Sequence, residues 1–253
     1  MELVGQGGMS HVFLAEEDCR KVAIKVPNRR VQNDDTLMLR FLRESSVLLR
    51  LQHPNIVDVI EIATLGREPY IVMEYFAEGS LRTQLRRRGR FTTEEAVSIL
   101  IQAVRGLAAA LDKGVLHRDV KPHNLFMAAD GILKVGDFGL AEIADEDSLT
   151  DPGQLLGTRA YLAPEVVANG AHSHLSDQYS LGVSTYELLT GSRPYIPERE
   201  VSNGRFRSAL LDVGADPRLT DCVGKMTSAD PLARFDSYAT LENALTQLLP
   251  TEE

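Results

Sequence analysis

The chain has 253 residues, a formal charge of −9, 43% hydrophobic residues and 25% charged ones. A folded chain of this size buries roughly 70–75% of the surface that its unfolded form exposes. It therefore needs no disulfide or metal staple, and the composition excludes collagen, wholesale disorder and a disulfide scaffold. The field of an acidic surface repels phosphate, which argues against a general nucleic-acid partner.

Residues 1–75 read as strand-rich with one helix. The runs His11–Glu17, Lys21–Val26, Ile56–Ile62 and Tyr70–Glu74 are short, rich in Val and Ile, and bounded by turn signals. Between them, Asp35–Leu51 places Leu37, Phe41, Val47, Leu48 and Leu51 at helical spacing, and Pro54 closes the run. After Glu78-Gly79-Ser80 the character turns mostly helical. Thr92 and Glu95 form a capping box, and Val97, Leu100, Ile101, Val104, Leu107 and Leu111 follow as an apolar face. A hairpin with its turn at Asp130-Gly131 comes next, then helices near 175–190, 217–227 and 237–249. The stretch from Tyr195 to Leu211 is weakly patterned. The longest uncharged apolar run, Ala96–Val104, is far short of the ~20 residues of a membrane span. Cys19 and Cys222 lie in no CxxC pair and read as reduced thiols of a cytoplasmic protein, and no signal peptide is read at Met1.

Five constellations carry chemistry. Gly5-Gln6-Gly7-Gly8-Met9-Ser10 lies between two strands. Glycines there let bare N–H groups approach phosphate oxygens, although a plain flexible hairpin has the same composition. Lys25 ends the apolar strand Val22-Ala23-Ile24. Glu44 stands among Phe41, Val47 and Leu48, where a carboxylate is costly unless paired. Lys25 is its natural partner; snorkelling to solvent is the alternative. His117-Arg118-Asp119-Val120-Lys121-Pro122-His123-Asn124 is a polar loop after an amphipathic helix. Asp119 and Asn124 on one loop place a base and a metal ligand on the same side of a phosphate. Asp137-Phe138-Gly139 and Ala163-Pro164-Glu165 follow, separated by an acidic, hydroxyl-bearing segment.

In this order the motifs make the chain resemble a protein kinase catalytic domain. Within that superfamily it is most similar to the bacterial, eukaryotic-like (Hanks-type) Ser/Thr kinases, whose phosphate-loop wording is similar to Gly7-Gly8-Met9-Ser10-His11-Val12-Phe13-Leu14-Ala15. The resemblance runs from Val4 to about Leu249. It implies an α+β bilobal fold filling residues 1–253: a small strand-rich N-lobe over 1–75, a hinge over 74–80, a larger helical C-lobe over 80–253, and an ATP cleft between the lobes.

The resemblance also implies roles. Val4, Gly5, Gln6, Gly7, Gly8, Met9, Ser10 and Val12 would cover the ATP phosphates, with Ser10 standing where the family has a third glycine. Lys25 would hold the α- and β-phosphates and be held by Glu44. Asp119 would take the acceptor proton and Lys121 would steady the γ-phosphate. Asn124 and Asp137 would hold Mg²⁺, or Mn²⁺ in its place. Ala23 and Val12 would lie above the adenine and Phe126 below it, with Met73 as gatekeeper and Glu74 and Phe76 offering backbone groups. Glu165 would pair with Arg234, and Asp177 would bind the catalytic-loop backbone. Lys121 and Thr158 point to Ser/Thr acceptors. Arg118 would meet a phosphate on Ser148 or Thr150, weakly, because Glu142 stands where relatives carry a basic residue.

The implied function is transfer of the γ-phosphoryl group of Mg-ATP to Ser/Thr hydroxyls of protein substrates, this chain included. The rivals are a pseudokinase scaffold, disfavoured by the complete motif set, and a small-molecule phosphotransferase, disfavoured by the segment ending in Ala-Pro-Glu. The oligomeric state is not legible. A last feature is the basic cluster Arg82, Arg86, Arg87, Arg88 and Arg90. It reads as a solvated helix end, with recruitment of an acidic protein as the functional alternative.

Overall fold

The structure, a computed structural model, describes residues 1–7, 9–17, 20–66, 68–138, 160–193 and 204–249, apart from the side chains of Glu17, Arg40, Arg43 and Glu44. Gly8, Cys19, Gly139, Glu142, Ser148, Thr150, Thr158 and the Glu44 side chain therefore lie outside the described residues.

Strands β1 (Glu2–Gln6), β2 (Ser10–Glu17), β3 (Arg20–Pro27), β4 (Val59–Leu65) and β5 (Glu68–Glu74) form one antiparallel sheet in the order β1-β2-β3-β5-β4. Period-two alternation puts Ala23, Lys25 and Pro27 on one face of the central strand, all buried. The short helix α1 (Arg29–Gln32) is capped by Asn28, and α2 (Asp35–Leu48) by Asp34, which accepts from the N–H groups of Thr36 and Leu37. Phe41 and Val31, both fully buried, pack on Ile71 and fasten these helices to the sheet.

The larger lobe begins with α3 (Leu81–Arg88) and α4 (Thr93–Asp112). The Thr92–Glu95 capping box is formed in both directions. Hairpin β6 (Leu125–Met127) and β7 (Leu133–Val135) follows, then α5 (Pro164–Asn169), α6 (His174–Thr190), α7 (Arg205–Asp212), α8 (Pro217–Met226) and α9 (Tyr238–Thr246). Helix α6 is buried from Ser176 to Leu189. Its hydroxyls are tolerated there because Ser180, Ser184 and Thr185 each donate to the carbonyl four residues back.

Two segments connect the lobes, 55–58 and 75–80. The first corrects a sequence expectation. The strand expected over Ile56–Ile62 runs over Val59–Leu65, because the backbone of 55–57 is taken by the other lobe. Val57 N–H donates to Val135 O, and Val135 N–H to Asn55 O, both at 2.9 Å. Helix α4 lies closely against this strut at Gly106, where an added Cβ would stand 2.5 Å from the Asn55 carbonyl oxygen. In the second crossing, Gly79 takes φ +69° and donates to Phe76 O at 3.0 Å, a turn that favours glycine. Lys134 of β7 ties the first crossing to the start of the second, reaching Asp58 at 3.0 Å and Glu74, the last residue of β5, at 2.9 Å. Two further differences concern helices. The first long one stops at Leu48 rather than Leu51, and Arg205–Asp212 is helical with Phe206 and Leu210 buried, inside the stretch read as weakly patterned.

Candidate active site

The polar loop 117–124 is held from beneath. Asp177, 3% exposed on α6, accepts from the N–H groups of His117 and Arg118, both at 2.8 Å. Burial raises its carboxyl, and His117 and the two N–H donors pull the other way without cancelling that rise. The clamp holds Arg118 at φ 67°, an unfavourable backbone for a non-glycine residue. His117 is fully buried, with Nε2 on Gly136 O at 2.9 Å and its ring on Phe138. Asp137, also at positive φ (57°), is thereby fixed beside the loop.

Five side chains meet in the cleft. Lys25, 5% exposed, opposes Val12 and Ile71 across the sheet and reaches Asp137 Oδ1 at 2.5 Å. Burial alone would raise the Asp137 carboxyl, but the Lys25 ammonium outweighs it, with help from His117 and Lys121, and holds it below the ordinary value. Lys121 sits 2.7 Å from Asp119 Oδ2. Asn124 Nδ2 donates to Asp119 O at 2.8 Å and to Asp119 Oδ2 at 3.1 Å. Since both partners are acceptors, the amide orientation is fixed and Asn124 Oδ1 remains for other duty. The partner seen on Lys25 is Asp137; the expected Glu44 pairing lies outside the described side chains.

The glycine hairpin closes with Gly7 N–H donating to Ser10 O at 2.8 Å, so that N–H is already used. Ser10 is buried, and the Met9 side chain packs on the Val31–Phe41 cluster rather than over the cleft. Val4 lies at the bulge between Leu3 and Gly5 and is 44% exposed. Gln6 pairs with His11. Deeper in, Ala23 opposes Met73 and Val22 opposes Glu74. Phe126 stacks on Phe76 with ring centroids 5.1 Å apart, so the cleft floor and the connecting segment touch directly. At the far side of the lobe, Arg234 makes a paired bond to Glu165 at 2.7 and 2.9 Å.

The residues present fit a nucleotide with a divalent cation. One carboxylate (Asp137) and one amide oxygen (Asn124) are hard donors. Among the described residues no group of three or more His, Cys, Asp or Glu could hold a metal by itself. Such a two-ligand set suits Mg²⁺, which takes its remaining positions from phosphates and water.

Sequence reading missed three further parts. Glu187 is fully buried on α6 and bonded by Tyr161 and Arg82. This overturns the reading of Arg82 as part of a solvated helix end. The flanking apolar residues Tyr186, Leu188 and Leu189 were the available signal, the same one that singled out Glu44. The Lys134 tie had no local signal. His123 stands within the 117–124 loop, its imidazole pulled down to about 4 by desolvation and by Lys121, Arg82 and Arg86, against Asp119.

Comparison with known proteins agrees with this geometry. The family model described as "Protein kinase domain" matches residues 1–230. Serine/threonine-protein kinase PknL of Mycobacterium tuberculosis is 37% identical over 242 residues, covering 92% of this chain and 60% of that protein. PrkC of Bacillus subtilis is 34% identical over 251 residues, covering 96% of this chain and 39% of that protein. The chain thus spans less than two thirds of these relatives. Among solved structures, Rad53 1-466 in complex with AMP-PNP is 28% identical with a TM-score of 0.78, covering 96% of this chain and 63% of that one. The PknI kinase domain of Mycobacterium tuberculosis is 25% identical with a TM-score of 0.73, covering 98% and 94%.

Proposed function

The chain belongs to the protein kinase domain family, and from that premise we propose that it transfers the γ-phosphoryl group of ATP to serine and threonine hydroxyls of proteins. The convergence of Lys25, Asp137, Lys121, Asp119 and Asn124 in one cleft carries the reading. Mg²⁺ on Asp137 and Asn124 Oδ1 would supply charge neutralisation at the phosphates.

The chain's own groups do the rest. The acceptor oxygen bonds to the γ-phosphorus as the bond to the β–γ bridging oxygen breaks and ADP leaves. The acceptor proton goes to Asp119. Lys121 and Asn124 both occupy Oδ2, so we assign Oδ1 as the accepting oxygen. Lys25, held in place by the sheet and by Asp137, positions the phosphates ahead of the reaction, so little reorganisation is needed when charge develops. Asp177 acts through the loop backbone and is a positioning residue. Lys121 on the loop favours hydroxyls of serine and threonine, the acceptors that appear in the names of the relatives PknL and PrkC. Substrates, and a role for Arg118 with phosphate on Ser148 or Thr150, extend the same reading. Cys222 is a free thiol, which suits a reducing compartment such as the cytoplasm. No helix among the described residues is long and apolar enough to cross a membrane.

The test is transfer from γ-labelled ATP to a mixed-sequence peptide library, followed by mass spectrometry of the products. Phosphoserine and phosphothreonine are expected. Predominant phosphotyrosine, or label on sugar or aminoglycoside acceptors alone, overturns the proposal.

A further inference from the structure

The turn Gly7-Gly8-Met9-Ser10 carries two glycines and one large side chain, Met9. Glycines widen the choice of backbone shapes, and holding such a turn in one of them costs entropy. Three contacts offset that freedom. Gly7 N–H donates to Ser10 O at 2.8 Å and closes the turn. Asn28 N–H donates to Met9 O, also at 2.8 Å, and ties the turn to the end of β3. The Met9 side chain packs against the buried cluster of Val31, Phe41 and Ile71.

Backbone and side chain of Met9 thus run to the same two helices. Asn28 accepts from Val31 N–H at 3.2 Å and caps α1, while Phe41, with no solvent exposure, is the centre of α2. One turn beyond Phe41 on the same face is buried Ser45, and Leu48 follows. Ser45 and Leu48 line a small cavity together with Lys25, Asp137 and Phe138. The hairpin tip and the wall around Lys25 are therefore set by one helix.

We propose that Met9 is a positioning residue: its side chain pins the glycine hairpin to α2 and so holds the hairpin in place over the nucleotide phosphates. The proposal rests on the nucleotide reading above and adds to it a side chain that touches no reacting atom. A hairpin released from its anchor covers the phosphates only part of the time, and affinity falls in proportion to that fraction. Release to about one-fifth occupancy weakens ATP about fivefold and leaves the base contacts untouched. The unbranched thioether suits an irregular gap between turn and helix. Leucine keeps the apolar volume there, whereas the amide of glutamine loses its water.

The test compares binding of Mg-ATP and of adenosine by calorimetry in the wild type, Met9→Gln and Met9→Leu. Adenosine has base and ribose but no phosphate, so it reads the cleft without the hairpin. In Met9→Gln the Kd for Mg-ATP is expected to rise about fivefold and the Kd for adenosine to stay within about twofold. Met9→Leu recovers most of the loss. The KM for ATP follows the same order, and the KM for a peptide acceptor does not move. An unchanged Kd for Mg-ATP in Met9→Gln overturns the pin alone. Equal weakening of both ligands does so too, since it marks a general loosening of the small lobe, as does a Met9→Leu protein no better than Met9→Gln. Wild-type protein that binds neither ligand and transfers to no peptide overturns the phosphotransfer reading, and the pin with it.

Discussion

The Tyr161 hydroxyl donates to Oε2 of Glu187, a carboxylate with no solvent exposure, while Arg82 takes Oε1 at 2.5 Å. Three elements therefore meet on one buried charge: α3, α6 and the turn that leads into α5. Burial and the neighbouring Glu187 charge push the Tyr161 phenol far above its ordinary range, so it stays a donor. Tyr161→Phe leaves one buried carboxylate oxygen without its donor. We expect a loss of about 1–3 kcal/mol in urea unfolding. The Tyr161→Phe, Glu187→Gln double variant should lose less than the sum of the singles; additive losses would show that the two groups act independently.

Gly106→Ala should destabilise the protein although alanine is the better helix former. The propensity gain is about 1 kcal/mol. Against it stands a Cβ 2.5 Å from the Asn55 carbonyl and 3.2 Å from Val135 Cγ2. Backbone cannot yield as a side chain can, so a net loss of about 1–3 kcal/mol is expected. Thermal melting checks it, and an unchanged or raised Tm refutes the close approach of α4 to the lobe strut.

Glu95 gives a pH signature. Burial pushes its carboxyl up, but hydrogen bonds from Arg88 and the Thr92 N–H, with the Arg88 charge, bring it below its ordinary value of 4.5. A carboxyl depressed on folding contributes stability that is present above 4.5 and lost as pH falls through its lower folded value. The stability difference between wild type and Glu95→Gln should therefore be constant near neutrality and close at acid pH. With the side chain about a third exposed and screened by solvent, the plateau is about 0.5–1 kcal/mol. A difference that widens on acidification contradicts the assignment.

Asp119→Asn keeps the size of the side chain and removes its basicity. We expect kcat to fall on the order of 10²–10⁴-fold, with KM for ATP little changed. Transfer within tenfold of the wild-type rate would exclude Asp119 as proton acceptor.

What the sequence made legible has a physical pattern. The Thr92 cap and the α4 face are local regularities, and their spacing is visible in one stretch of chain. Ile56 looked like the start of a strand because alternation does not say which backbone a segment pairs with; here Val135 claims it. Helix α7 buries only Phe206 and Leu210, too few positions to set a period. In the site, Lys25, Asp119, Asn124 and Asp137 stand out because polar loops and buried charges need a reason. The Glu187–Tyr161–Arg82 and Lys134–Asp58–Glu74 groups join distant segments, and no spacing announces them.

The Lys134 tie has a mechanical meaning. One side chain of the large lobe grips the chain at both places where the small lobe hangs from it, an arrangement that favours a swing of the lobes about an axle over a slide. Displacement in a swing grows with distance from the axle. Met73, Phe76 and Phe126 lie beside it, whereas β2 and β1 are two and three strands out from β5, about 10–14 Å. The end of the cleft proposed to hold the base is then the quiet end of the lever. The glycine hairpin rides the long arm, and on the nucleotide reading proposed above a few degrees of rotation there would raise or lower it over the phosphates while the adenine seat stays still.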